Sequence, residues 1–189
     1  MNKNKNPLQG LKKLKNIKIK IKKERILFLI VFFAMIAISK SLNLVLVNGN
    51  SMLPTYKDKS LLMSEKIKNH EEDIQINDCV VFTADGVNEK GNATETILIK
   101  RVVGIPGDTL LIKDGSLYRN NKKVDDNFGH IDNPGMLSKE YTLKKDEFFC
   151  MGDNRNGSTD SRMNGPVKKD KISNIITGEF LGFIFNQKQ

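Results

Sequence analysis

The chain has little of what metal or disulfide chemistry needs: two cysteines and two histidines in 189 residues. His70 and His130 lie in polar stretches far apart, and neither cysteine stands at a zinc-site spacing, so no metal centre is expected. Cys79-Val80-Val81-Phe82 and Phe148-Phe149-Cys150-Met151 are apolar, strand-like contexts, which read as buried free thiols. A disulfide between Cys79 and Cys150 is the alternative in an oxidising compartment. A basic face is also missing. The net charge is +9, but residues 1–25 hold nine lysines, Arg25 and Glu24 and so carry the whole excess, and the rest balances at 21 bases against 21 acids. A neutral body argues against a nucleic-acid surface. There is no internal repeat, and beyond residue 47 no long apolar pattern of helical period.

What is present begins with an apolar run. Residues 26–39 are 14 uncharged residues, Lys40 follows, and the run resumes to Val47, giving 22 residues in all. A bilayer core takes roughly 20 helical residues, so residues 26–47 are read as a transmembrane anchor with Lys40 snorkelling to the outer headgroups. The lysines before it place residues 1–25 in the cytoplasm and residues 48–189 outside. The tail is also expected on anionic lipid of the inner leaflet, with a merely solvated basic tail as the alternative. A cleavable secretory signal, with Ala37-Ile38-Ser39 as small residues at the cut, is the other reading of the run. Either way the body is exported.

That body reads as mainly β. Val80-Val81-Phe82 and residues 97–103 are β-branched runs. Asp114-Gly115 marks a hairpin turn and Asn120-Asn121 a second turn. Residues 148–151 form a short strand, and residues 175–185 close the chain as a glycine-punctuated strand pair. Residues 84–96 and 125–139 are polar and glycine-bearing and read as surface excursions, the first as a hairpin tip. The expectation is a barrel-like or two-sheet body after one N-terminal transmembrane helix.

Two residues stand out within it. Ser51 lies in Gly49-Asn50-Ser51-Met52-Leu53-Pro54-Thr55, and Lys100 in Ile97-Leu98-Ile99-Lys100-Arg101-Val102-Val103. Strand alternation gives Lys100 a face with Leu98 and Val102, and Arg101 a face with Ile99 and Val103. Burial lowers a lysine's pKa, and a neutral amine can take a proton from a serine hydroxyl. An arginine cannot be neutralised that way, so Arg101 calls for a carboxylate. Taken singly, Lys100 could be a snorkelling edge residue and Ser51 part of a turn. The segment Gly152-Asp153-Asn154-Arg155-Asn156-Gly157-Ser158-Thr159-Asp160-Ser161-Arg162 supplies counter-ions and hydroxyls for both.

These blocks, in this order after a basic, apolar N-terminus, resemble bacterial type I signal peptidases. The single anchor and compact body are similar to the smaller Gram-positive members. The resemblance runs from the apolar segment to about Val167. It implies a β-rich body whose apolar surface rests on the outer membrane surface, a monomer, and no metal or organic cofactor. It implies Ser51 as nucleophile, Lys100 as general base and Met52 beside the substrate cleft. Ser158 would orient the lysine amine, and Asp153, Arg155, Asp160 and Arg162 would hold the site together with Arg101. The partners implied are signal-peptide-bearing preproteins, cut after Ala-X-Ala-like small residues through an acyl-enzyme. Two departures stand out. Gly49 occupies the position where many Gram-negative members carry an oxyanion-stabilising serine, leaving that task to backbone N–H groups, mainly that of Ser51. Asn77 stands where glycine is usual, a change expected to affect a turn and not the chemistry. The rival readings are a self-cleaving repressor of related fold, which the anchor opposes, a non-catalytic membrane-tethered assembly factor, and a secreted β domain of other function.

Overall fold

The computed structural model describes residues 23–41, 43–67, 74–87, 93–125 and 127–180. Most of the basic tail, the tip of the 84–96 excursion and the second half of the 175–185 strand pair lie outside these. The chain divides into two compact units, Met1–Ser41 and Leu42–Gln189.

In the first unit Lys23–Ser41 forms helix α1. Its described apolar side chains are exposed on every side, Phe28 at 69% and Phe33 at 63% among them. Among the described residues no helix is long and apolar enough to cross a membrane. The physical reason is the short uncharged stretch: 14 residues at a rise of about 1.5 Å cover only about two thirds of a hydrocarbon core.

The expected 26–47 segment is not one element. The helix ends at Ser41, and Asn43–Leu46 is strand β1, paired antiparallel with β2 (Leu61–Lys66) from Asn43↔Ser64 to Leu46↔Leu61. Lys40, Ser41 and Asn43 break the apolar run. After them the period is two: Leu44 and Leu46 are exposed, Val45 is half-buried and Val47 is buried. The body therefore starts at residue 42, not 48.

The second unit is built on two antiparallel sheets. Further strands are β3 (Cys79–Val87), β4 (Ala93–Gly104), β5 (Thr109–Lys113), β6 (Ser116–Arg119), β7 (Lys122–Lys123), β8 (Tyr141–Thr142), β9 (Glu147–Met151), β10 (Val167–Lys168) and β11 (Ile172–Glu179). The larger sheet has the order β1-β2-β11-β3-β4-β9-β10, and the smaller β7-β6-β5-β8. The Asp114-Gly115 and Asn120-Asn121 turns are where the residue types placed them. All four residues have positive φ, as a two-residue type I′ hairpin requires.

The two polar segments fare differently, the first ending the β3–β4 hairpin as its turn residues suggest. Residues 84–96 are largely strand, with β3 and β4 paired out to Val87↔Ala93. A polar strand pair is stable there because it continues an apolar one in register. Residues 125–139 are not a simple surface excursion. Ile131 and Leu137 are buried with Leu110, Leu117, Phe149 and Met151, and Gly135–Ser138 is a 3-10 turn. A second apolar cluster joins Val80, Phe82, Val102, Phe148 and Cys150. A third joins Val47, Met52, Leu62, Cys79, Val81 and Ile176. Both cysteines are free thiols.

Candidate active site

The turn after β1 carries Ser51. Its backbone carbonyl accepts a hydrogen bond from Asn154 N–H at 3.1 Å, and Asn154 Nδ2 donates to the Asn50 carbonyl at 3.2 Å. The turn is thus docked on the Gly152–Arg162 segment. Met52 is 1% exposed and anchors the same turn in the third cluster.

Lys100 reaches Ser51 from the middle of β4. Its Nζ donates to Ser51 Oγ at 2.8 Å and to the Ile99 carbonyl at 3.1 Å. The residue is 2% exposed. Burial pushes its pKa below the ordinary lysine value, opposed by the negative charges of Asp160 and Asp153. The strand is buried on both sides at Val102 and Val103, but Ile97 is 71% exposed. Burial is thus confined to the half of β4 that carries Lys100.

Arg101 has the carboxylate its chemistry calls for. Its Nε donates to Asp153 Oδ1 at 2.8 Å and its Nη2 to Oδ2 at 2.6 Å. Nη1 donates to the Asn77 carbonyl at 2.8 Å, and Thr55 Oγ1 donates to Asp153 Oδ2. The Asp153 hydrogen bond holds the guanidinium pKa above its usual value. That contact is to the Asn77 main chain, which a glycine would offer equally, so the asparagine side chain bears on the turn alone. The φ of Asn77 is 76°, a left-handed conformation that asparagine tolerates in place of glycine.

A second bidentate pair lies behind the first. Arg162 Nε and Nη2 donate to Asp160 Oδ1 and Oδ2, both at 2.9 Å. Asp160 also caps the short helix α2 (Ser161–Asn164) and accepts from Gly152 N–H at 2.9 Å. Arg155 Nε donates to the Gly152 carbonyl. Asp153, Arg155, Asp160 and Arg162 are all at most 3% exposed. Such buried charges are tolerable only because each is met by fixed opposite charge or dipoles.

Ser158 departs from its expected contact. Its Oγ is buried and makes no hydrogen bond among the described residues. It lies against Gly152: a Cβ built there would fall 2.2 Å from Ser158 Oγ and 2.6 Å from the Ser51 carbonyl oxygen. Sequence reasoning gave no part in the site to Asn154 or Phe128, although both lie in segments it singled out.

Ser51 and Lys100 open on a groove of about 700 Å³, lined also by Val45, Met52, Val81 and Ile99. Two strand edges border it. Among the described residues β1 pairs only with β2, and β4 pairs with β9 only from Arg101 onward. No group of His, Cys, Asp and Glu among the described residues could hold a metal ion.

The family model described as "Signal peptidase, peptidase S26" matches residues 20–180. Signal peptidase I V of Bacillus subtilis (strain 168) is 33% identical over 144 residues, covering 69% of this chain and 81% of its own. Signal peptidase I of Bacillus licheniformis is 34% identical over 151 residues, covering 75% and 77%. A crystal structure of a signal peptidase I from Enterococcus faecalis V583 aligns over 57% of this chain and 97% of its own, at 22% identity and a TM-score of 0.40.

Proposed function

The chain belongs to the signal peptidase family, peptidase S26, as a bacterial type I signal peptidase, and on that premise we propose that it removes signal peptides from exported preproteins with Ser51 as nucleophile and Lys100 as general base. The observation that carries the assignment of roles is the 2.8 Å contact between Lys100 Nζ and Ser51 Oγ at a lysine only 2% exposed.

In the neutral amine that contact reverses. The Ser51 hydroxyl donates to the lysine lone pair and gives up its proton as Oγ attacks the scissile carbonyl. Nζ then returns the proton to the leaving amine, and the acyl-enzyme is opened by a water that Nζ deprotonates. The developing oxyanion is met by backbone N–H, chiefly that of Ser51. Gly49 N–H is engaged elsewhere, donating to Asp58 Oδ1 at 2.7 Å, so it does not replace the missing serine hydroxyl.

The substrate lies extended between the open edges of β1 and β4, paired through its main chain. The floor beside Ser51, made by Met52, Val81 and Ile99, favours small apolar side chains near the cut, as in an Ala-X-Ala site. Helix α1 is the membrane-holding element. Its 14 uncharged residues fall short of a full hydrocarbon core by themselves, and the flanking basic residues, Arg25 and Lys40, would extend the span. The basic tail faces the anionic cytoplasmic leaflet, and the catalytic unit acts as a monomer on the outer side.

The test is cleavage of a preprotein, or of a peptide with an Ala-X-Ala site, by the full-length enzyme in detergent beside Ser51→Ala. Cutting after the second alanine that disappears in the variant supports the reading. Absence of cutting by the folded wild type sinks it.

A further inference from the structure

Phe128 belongs to no assigned part of the site, yet its ring carries two guanidinium groups. Arg101 Cζ lies 5.2 Å and Arg155 Cζ 4.9 Å from the ring centroid. The targets of these two arginines are consecutive in the chain. Arg155 Nε donates to the Gly152 carbonyl, and Arg101 grips both oxygens of Asp153. The next residue, Asn154, donates its backbone N–H to the Ser51 carbonyl. Arg101 in turn directly follows Lys100 in β4.

From this arrangement we propose that Phe128 is a positioning residue for the Ser51–Lys100 pair, its π face holding together the two arginines that fix the 152–154 backbone on which Ser51 rests. The proposal rests on the dyad reading above. A ring face attracts each cation while covering it from water, and it offsets the repulsion of two like charges brought to one place. The ion pair of Arg101 with Asp153, 15% and 0% exposed, then works in a low-dielectric setting, where its geometry is stiff. The ring comes from the segment between β7 and β8, so the connection of the smaller sheet is what braces the nucleophile turn.

The test compares wild type, Ser51→Ala, Phe128→Leu and Phe128→Tyr in full-length enzyme on one Ala-X-Ala peptide. Leucine keeps apolar bulk and removes the π face, and tyrosine keeps it. The expected result is a roughly tenfold lower kcat for Phe128→Leu with KM within about twofold, and Phe128→Tyr within about threefold of wild type in both. The acid limb of kcat/KM should also move to higher pH in the leucine variant. Asp160 and Asp153 are the carboxylates whose charges favour the protonated lysine, while burial keeps the neighbouring Cys150 a neutral thiol; an Arg101 that has drifted from Asp153 compensates that carboxylate less. Wild-type kcat and an unmoved acid limb in Phe128→Leu overturn the proposal, whatever its melting temperature. If the wild type does not cut, or Ser51→Ala still cuts, the dyad reading itself has failed and this role falls with it.

Discussion

Gly152 lies so close to Ser51 that a single added methyl group would stand 2.6 Å from the serine's carbonyl oxygen and 2.2 Å from Ser158 Oγ. Gly152 N–H is tied to Asp160 and its carbonyl to Arg155, so the loop cannot yield and the nucleophile turn must. Gly152→Ala is therefore expected to lower kcat by about 10²-fold, as a displacement of about 1 Å at the reacting atom does. Far-ultraviolet circular dichroism should stay unchanged, and steady-state kinetics beside it provide the check.

Ser51→Ala and Lys100→Ala should each reduce peptide cleavage by at least about a thousandfold. Lys100→Arg should do the same, because a guanidinium keeps its proton at any pH the protein survives. Near-normal turnover by the arginine variant would falsify the assignment of Lys100 as base.

The same lysine should cost stability. Its folded pKa lies below the ordinary 10.5, so between those two values the unfolded chain binds more protons and stability rises with pH. Below the folded value the cost of burying the ammonium is present in full. Lys100→Met is thus expected to be inactive yet to melt at a higher temperature than wild type near neutral pH. The gain should shrink as the pH approaches 10.5. Melting curves across pH test this, and a methionine variant less stable than wild type at neutral pH contradicts it.

Ser158→Ala removes a buried hydroxyl that has no hydrogen-bond partner among the described residues. Its melting temperature should therefore be unchanged or slightly higher, since no bond is lost and a desolvated polar group is. Activity should still drop, by about tenfold, if the hydroxyl turns to the lysine amine during the reaction. A variant that melts far earlier assigns Ser158 a purely structural part.

Removing residues 1–41 should leave a folded unit that still cuts a soluble peptide, whereas removing residues 1–47 also deletes β1 and with it one open edge of the groove. The longer deletion is expected to lose peptide cleavage, while the shorter should lose only the processing of membrane-inserted preproteins. Equal activity of the two fragments on the soluble peptide would show that β1 has no part in holding substrate.

Much of this was legible in residue types because the chemistry demands them. Lys100 in a β-branched strand and Arg101 without a nearby acid both called for partners, and Ser51 and Asp153 meet them. Asp114-Gly115 and Asn120-Asn121 announced their turns because few other residues accept positive φ. The end of the helix is not legible in the apolar run up to Val47, since Leu44, Val45, Leu46 and Val47 are equally apolar in a helix or a strand. Only the partner strand β2 decides between them, and pairing is a long-range fact. Phe128 was invisible for a related reason: a lone aromatic in a polar segment carries no period, and its two arginines lie 27 residues away on either side.

The strand order of the larger sheet has a temporal meaning. β11, the last strand among the described residues, lies between β2 and β3, two of the earliest. Until residues 172–179 are in place, the half-sheet carrying the Ser51 turn has no strand-to-strand pairing with the half carrying Lys100. A growing chain therefore cannot join the two halves of this sheet, one beside Ser51 and the other carrying Lys100, before residues 172–179 have been made.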